Sequence, residues 1–223
     1  GFLSPEESRE DLDDYYLSRK KRFSLSKKIH PLLSTRGVPG THNIKLLINH
    51  IKQFNNSKYP INVPIFDKLI DDSLSKKRKE NSKADILILE GWCCGAKQMK
   101  NDFLLKNINS LEKNQDNKYL WRKYYNNKLK YEYHDLFKMF DYKIFLKASS
   151  FKYVLNWRLK QEKMNKSNLN IQKKMDKKNL INFIQHYEKL TRWMLKNHIT
   201  IFDLIIKVNN KQKIIAVNKN KIN

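Results

Sequence analysis

The sequence predicts an α/β fold of three layers, in which a mainly parallel sheet is flanked by helices. Three observations predict it. The segment ADILILE (84–90) is an unbroken apolar run closed by a glutamate, the pattern of a strand buried on both faces of a parallel sheet. Two later apolar runs, YKIFLKAS (142–149) and FDLIIKV (202–208), read as further strands. Between and before the strands lie segments with apolar residues at helical spacing, and strands alternating with helices imply parallel pairing.

The elements follow in chain order. Residues 1–12 are polar and acidic with no apolar period, so no element is predicted there. DDYYLSRKKR (13–22) leads into a loop ending in STRGVPGTHN (34–43). IKLLINHIKQF (44–54) places Ile44, Leu47, Ile48, Ile51 and Phe54 at helical spacing. YPINVPIFDK (59–68) holds two prolines and is expected to be extended, and the charged stretch 70–83 is expected to be a solvated loop. Residues 97–140 read as mostly helical, with Trp121, Tyr124, Leu136 and Phe140 as packing residues. FKYVLNWRLKQEKM (151–164) predicts a helix, 165–174 a polar break, and 176–197 a long amphipathic helix with Asp176 as its N-cap. KIIAV (213–217) predicts a last strand. There are no internal repeats, and residues 1–223 read as a single domain.

Composition narrows the function classes. Forty per cent hydrophobic and 12% aromatic residues describe a globular chain, with no run long enough to span a membrane and no leader-like opening. The two cysteines, Cys93 and Cys94, are adjacent and make neither a bridge nor a zinc site by spacing, so a reducing cytoplasm is expected. The net charge of +24 invites a nucleic-acid reading. Lysines outnumber arginines 38 to 8, however, and Asn and Ile are also abundant. That is the mark of compositional drift, whereas nucleic-acid sites favour the arginine fork. Specific nucleic-acid binding is therefore not expected, and the oligomeric state is not legible.

The five glycines are informative because the chain uses so few. Gly37 and Gly40 flank Pro39 in RGVPG, and Gly91 and Gly95 flank the turn after the 84–90 strand. Glycine is kept where φ is positive or where another group approaches the backbone. Ligands of parallel α/β sheets bind beyond the carboxyl ends of strands, so Glu90 stands where a metal-holding or basic carboxylate is useful. The Asp13–Asp14 pair is a second acid–base candidate. Pro39 stiffens its loop, which is expected to expose N–H groups, with Arg36 ready to clasp a carboxylate or phosphate and Thr41 and His42 adding a hydroxyl and an imidazole. The histidines show no metal-ligand spacing.

Taken together, LDDYYLSRKKR, HPLLSTRGVPGTHN, VPIFDK and DILILEGWCCG resemble, in order and approximate spacing, the D-glycerate kinases and related kinases of the P-loop group that includes phosphoribulokinase, uridine kinase and pantothenate kinase. WRLKQE (157–162) and FIQHYEKLTRWML (183–195) extend the resemblance, which runs from about Leu12 to Val217. It implies a P-loop kinase fold and transfer of the γ-phosphoryl group of ATP, with Mg2+, to a hydroxyl of glycerate or a similar small hydroxy acid. It implies that Asp13 deprotonates or orients that hydroxyl and that Glu90 lies near magnesium, directly or through water. Asp14, Tyr16, Arg36, Gly37, Gly40, Thr41, His42, Asp67 and Lys68 fall on the acceptor side, and Gly91 and Arg158 on the nucleotide side, with 150–175 a lid-like region.

Departures accompany the resemblance. Asn43 replaces an aspartate and Asp11 a serine. The family's phosphate-binding loop, G-x-x-x-x-G-K-[ST], has no counterpart, since no Gly-Lys pair exists in the sequence. The expectation is an N-terminally incomplete kinase, by truncation, gene-model error or decay, inactive as it stands. The alternatives are a kinase of the same family with another hydroxylated acceptor, or a non-catalytic basic remnant that binds nucleic acid.

Overall fold

The computed structural model describes residues 7–81, 83–165 and 177–220. The elements form two compact units, one of residues 1–94 and 120–139, the other of 95–119 and 140–223. Each carries its own parallel strand pair.

In the first unit, β1 (Glu7–Asp11) lies parallel to β6 (Ile86–Glu90), residue for residue from Glu7 opposite Ile86 to Asp11 opposite Glu90. β1 reads Glu-Ser-Arg-Glu-Asp, so no apolar alternation announces it; the ladder to β6 makes it a strand. The parallel pairing expected of 84–90 is present, but burial on both faces is not. Among the described residues β6 pairs only with β1, and Ile86 and Ile88 remain 45% and 38% exposed. A strand with one neighbour has no second ladder or covering layer to hide that face.

A 3-10 turn, Leu12–Tyr15, follows β1 directly, and the Asp11 carboxylate caps it by accepting from the Asp13 N–H at 2.9 Å. The next segment, expected to be loop, is a helix, α1 (Arg19–Lys28), opened by Ser18. Its charged residues surround it and conceal any apolar period, yet Arg22 within it is wholly buried. α2 (Ile44–Asn55) occupies the predicted segment, capped by the Asn43 side chain, and buries Ile44, Leu47, His50 and Ile51. Asn43 thus performs the capping an aspartate would perform there. The proline-bearing stretch gives β2 (Ile61–Val63) and β3 (Phe66–Asp67). The charged stretch is not wholly loop: β4 (Asp72–Ser73) pairs with β3, and β5 (Arg78–Glu80) pairs with β2.

The second unit opens with α3 (Asn101–Leu105) and α4 (Ser110–Gln115). α5 (Leu120–Lys130) and α6 (Glu132–Phe137) return to the first unit and bury Trp121, Tyr125, Tyr133 and Leu136. Tyr124 and Phe140, expected to pack, are half-buried. β7 (Ile144–Ala148), α7 (Phe151–Asn165), α8 (Lys177–Asn197), β8 (Leu204–Val208) and β9 (Ile214–Lys219) complete the second unit. β7 and β8 are parallel, while β8 and β9 form an antiparallel hairpin. Phe151 of α7 packs with Leu180 and Ile184 of α8. The Lys189 ammonium, buried beside Glu112 at 3.3 Å, also donates to the carbonyls of Phe103 and Lys106. Asp176 lies outside the described residues, as does the part of the lid-like region beyond Asn165. Among the described residues no helix is long and apolar enough to cross a membrane.

Candidate active site

The site is built at the carboxyl ends of β1 and β6, where Asp11 and Glu90 face each other in register. Glu90 is exposed there. Gly91 follows it for a steric reason: a Cβ at that position would stand 2.7 Å from Leu12 Cβ and 3.1 Å from Cys94 Sγ. Cys93 and Cys94 are held as thiols, since burial pushes both well above the ordinary range. Gly95 belongs to the second unit; its φ of +78° sets it against the Phe202 ring.

The 3-10 turn presents the acidic pair. The Asp13 carboxylate lies 2.7 Å from Lys68 Nζ, which also stands 4.0 Å from Asp11. Asp14 accepts from the Phe66 N–H at 3.2 Å, fixing the β3 strand against the turn. Asp67 accepts from the Leu69 N–H at 2.8 Å and so shapes the bend that delivers Lys68.

The RGVPG loop joins this turn by backbone pairing. The Leu17 N–H donates to the Thr41 carbonyl at 2.8 Å, the Asn43 N–H donates to the Tyr15 carbonyl at 2.7 Å, and Tyr16 bridges to His42. The Tyr16 ring stacks on the His42 imidazole, 4.3 Å between centroids, and meets Phe66 edge-on at 5.1 Å. Asp13–Asp14, the 36–42 loop and the Phe66–Lys68 segment are thereby gathered at one place.

The loop does not expose its N–H groups as expected. Gly37 through His42 are buried. The Gly37 N–H donates to Thr41 Oγ1 at 3.1 Å, the Gly40 N–H to the Tyr133 hydroxyl at 3.0 Å, and Thr41 Oγ1 to the Val38 carbonyl at 2.7 Å. Gly40, at φ +96°, is required twice over, because a Cβ there would stand 2.6 Å from the Tyr124 ring. His42 is 5% exposed, with Nδ1 2.6 Å from the Tyr133 hydroxyl; burial lowers its pKa to about 3 and keeps the ring neutral.

Arg36 is largely covered. It pairs with Asp71, and its guanidinium lies 5.6 Å from the Phe66 ring centroid. Arg22 approaches the same ring at 5.7 Å, contacts Asp71 Oδ2 at 3.0 Å, and donates to the carbonyls of Leu17, Ser34 and Asp71. The sequence alone does not single out Arg22, Phe66, Asp71 or Tyr133. Arg22 is hidden in a basic run and Asp71 in a charged stretch that reads as solvent-facing, so no local signal marks either. Arg158 lies on α7 of the second unit, half-buried.

Among the described residues no group of three His, Cys, Asp or Glu side chains converges in the manner of a metal cage. Asp13 is already engaged by an ammonium. The described residues also contain no glycine-rich loop followed by lysine that would cradle phosphates. By themselves they supply the acceptor-side groups and the Glu90 carboxylate, and no cradle for a nucleotide's phosphates.

No protein-family model matches the sequence. The chain is 31% identical over 188 residues to "Uncharacterized kinase mug58" of Schizosaccharomyces pombe, covering 79% of this chain and 65% of that protein. It is 37% identical over 97 residues to "Probable ATP-dependent kinase TDA10" of Saccharomyces cerevisiae, covering 38% of this chain and 33% of that protein. The chain thus spans less than two thirds of the length of either curated relative. Among solved structures, D-glycerate 3-kinase from Cryptococcus neoformans superposes with a TM-score of 0.79 at 24% identity, over 96% of this chain and 80% of that one. The YGR205w protein superposes with a TM-score of 0.74 at 22% identity, over 97% of this chain and 78% of that one. The parallel strands, their flanking helices and these superpositions agree: the fold is the P-loop kinase fold, and in sequence the chain is similar to kinases.

Proposed function

We propose that the protein is a small-molecule kinase that transfers the γ-phosphoryl group of ATP to a hydroxyl of glycerate or a similar hydroxy acid, and that this chain carries the acceptor side. One observation carries the reading. The short Phe66–Lys68 segment joins the loop arginine to the acid, with the Phe66 ring beneath Arg36 and the Lys68 ammonium on Asp13. A hydroxy acid needs that pairing of groups: a cation for its carboxylate and a carboxylate for its hydroxyl proton.

In this reading Asp13 accepts the hydroxyl proton, and Lys68 keeps the Asp13 carboxylate oriented. Arg36 exchanges Asp71 for the acceptor's carboxylate. Asp14 and Asp67 fix β3, and Tyr16 forms the wall beside His42. Gly37, Gly40, Thr41 and His42 act through the shape of their loop. On the nucleotide side, Glu90 is the exposed carboxylate offered to magnesium through water, Gly91 lets the chain turn close beneath it, and Arg158 is the basic group assigned to phosphates. ATP supplies the phosphoryl group when bound.

The test is acceptor-dependent ADP release by the full-length gene product, with D-glycerate set against L-lactate, glycerol and glucose. Preference for glycerate supports the reading. Turnover indifferent to a carboxylate on the acceptor removes it.

A further inference from the structure

Behind the acidic turn lies a buried polar cluster that the proposed reaction does not use. Glu10, 4% exposed on β1, accepts from the Tyr15 hydroxyl at 2.9 Å. The same hydroxyl lies 2.9 Å from His50 Nδ1 on α2. Tyr15 closes the 3-10 turn that bears Asp13 and Asp14, and its carbonyl accepts from the N–H of Asn43, the α2 cap. One side chain therefore ties β1, the acidic turn and α2 together. The cluster borders a cavity whose walls also include Leu47, Tyr59, Glu80 and Leu87.

Three groups in a row need two protons for two hydrogen bonds, and there are two ways to place them. With Glu10 ionised, Tyr15 donates to Glu10, and the phenol oxygen accepts from a protonated Nδ1 of neutral His50. With Glu10 protonated, its O–H donates to the phenol oxygen, and Tyr15 donates to an unprotonated Nδ1. Passing from the first state to the second takes up one proton at Glu10 and moves the imidazole proton from Nδ1 to Nε2 by exchange with solvent. The first state contains the charge-assisted O–H···carboxylate bond, the stronger single hydrogen bond, while the buried charge itself costs stability.

We propose that Glu10, Tyr15 and His50 form a proton-operated clamp on the Asp13–Asp14 turn, in which ionisation of Glu10 sets the His50 tautomer and the strength with which Tyr15 is held. These are positioning residues. That the clamped turn serves an acceptor rests on the kinase reading above; the tautomer exchange does not.

The surroundings place the transition in a useful range. Burial pushes Glu10 up to about 7; the Tyr15 hydrogen bond and Arg78, 3.8 Å away on β5, work against that, and Glu80 and Asp14 add to it. Burial and then Lys77 lower His50, which favours the neutral imidazole. A leucine at position 10 would avoid burying a carboxylate. The clamp gives that carboxylate a purpose.

The experiment is nitrogen NMR of the histidine-labelled full-length protein between about pH 5.5 and 8.5, a span chosen to bracket ordinary histidine and raised-carboxylate titrations. The clamp predicts that His50 Nδ1 moves from the unprotonated to the protonated range as pH rises, with Nε2 moving oppositely. Glu10→Gln abolishes this step while the fold, seen in the remaining resonances, persists. Tyr15→Phe, which removes the linking hydroxyl, likewise uncouples His50 from the Glu10 titration. A single tautomer across the range, a transition to imidazolium instead, or an undiminished step in Glu10→Gln overturns the proposal.

Discussion

The Lys68 ammonium sits 2.7 Å from the Asp13 carboxylate, although 55 positions of chain separate the two residues. Lys68 reaches there because Asp67 turns the chain at the end of β3 and Asp14 pins the Phe66 N–H to the acidic turn. The pair is half open to water, with Lys68 52% and Asp13 26% exposed, so its contribution to stability is small. Its value is orientation. Lys68→Met is expected to leave the fold intact and to lower acceptor turnover by roughly tenfold or more, the loss expected when a charged hydrogen-bond partner is removed. Steady-state rates alongside thermal melts check both halves.

Arg36 is the group assigned to the acceptor carboxylate. Arg36→Ala is expected to weaken hydroxy-acid recognition by about 10- to 150-fold, the equivalent of one charge-assisted hydrogen bond, and to affect glycerol far less. KM for the acid and for the uncharged polyol, measured on the same variant, separates this from general damage. Equal losses on both acceptors would remove the assignment.

Gly40 tests the loop's architecture. Its φ of +96° and the Tyr124 ring 2.6 Å from a Cβ leave no room for a side chain. Gly40→Ala is expected to cost about 1–3 kcal/mol, the range for a strained backbone position, and to lower the melting temperature by several degrees. A melting temperature equal to that of the unaltered protein would show that the loop tolerates a different path.

Glu10 gives a pH signature in stability. Burial raises its folded pKa to about 7 from an ordinary value of 4.5. The folded state then binds the proton more tightly than the unfolded chain, so the carboxyl's contribution is fully present below the unfolded pKa and is lost as pH rises through about 7. The loss amounts to roughly 3 kcal/mol at most. Glu10→Gln is accordingly expected to be more stable than the unaltered protein at alkaline pH and to show little gain under acid conditions. Denaturant midpoints at the two pH extremes decide it.

The features legible in the sequence are those marked by apolar pattern or glycine. The α2 stripe of Ile44, Leu47 and Ile51 announces itself because burial demands apolar residues at fixed spacing, and the apolar β6, β7 and β8 runs mark strands although Ile86, Ile88, Ile144 and Leu146 stay exposed. β1 is illegible because Glu-Ser-Arg-Glu-Asp owes its strand conformation to the β6 ladder and not to its own residues. α1 is hidden for a related reason: its stabilising contacts run through a buried arginine, and a run of arginine and lysine reads as solvated surface. The acidic turn and RGVPG loop are both legible, and the Leu17–Thr41 and Asn43–Tyr15 hydrogen bonds bring them together. The inward direction of the loop's N–H groups is not legible, since it depends on Tyr133, 93 positions away from Gly40. The pairing of Arg36 with Asp71 is hidden for the same reason, a partner that only the folded chain brings near.

The central claim, that Asp13 takes the acceptor's hydroxyl proton in phosphoryl transfer, is tested most directly by Asp13→Asn in the full-length protein. The measurement pairs single-turnover formation of phosphorylated acceptor from ATP and D-glycerate with calorimetric binding of D-glycerate. A general base contributes about 10²- to 10⁴-fold. The account predicts a fall in the rate of phosphoryl transfer of that size, with acceptor binding changed by less than about tenfold. Phosphoryl transfer at the unaltered rate in Asp13→Asn would contradict it.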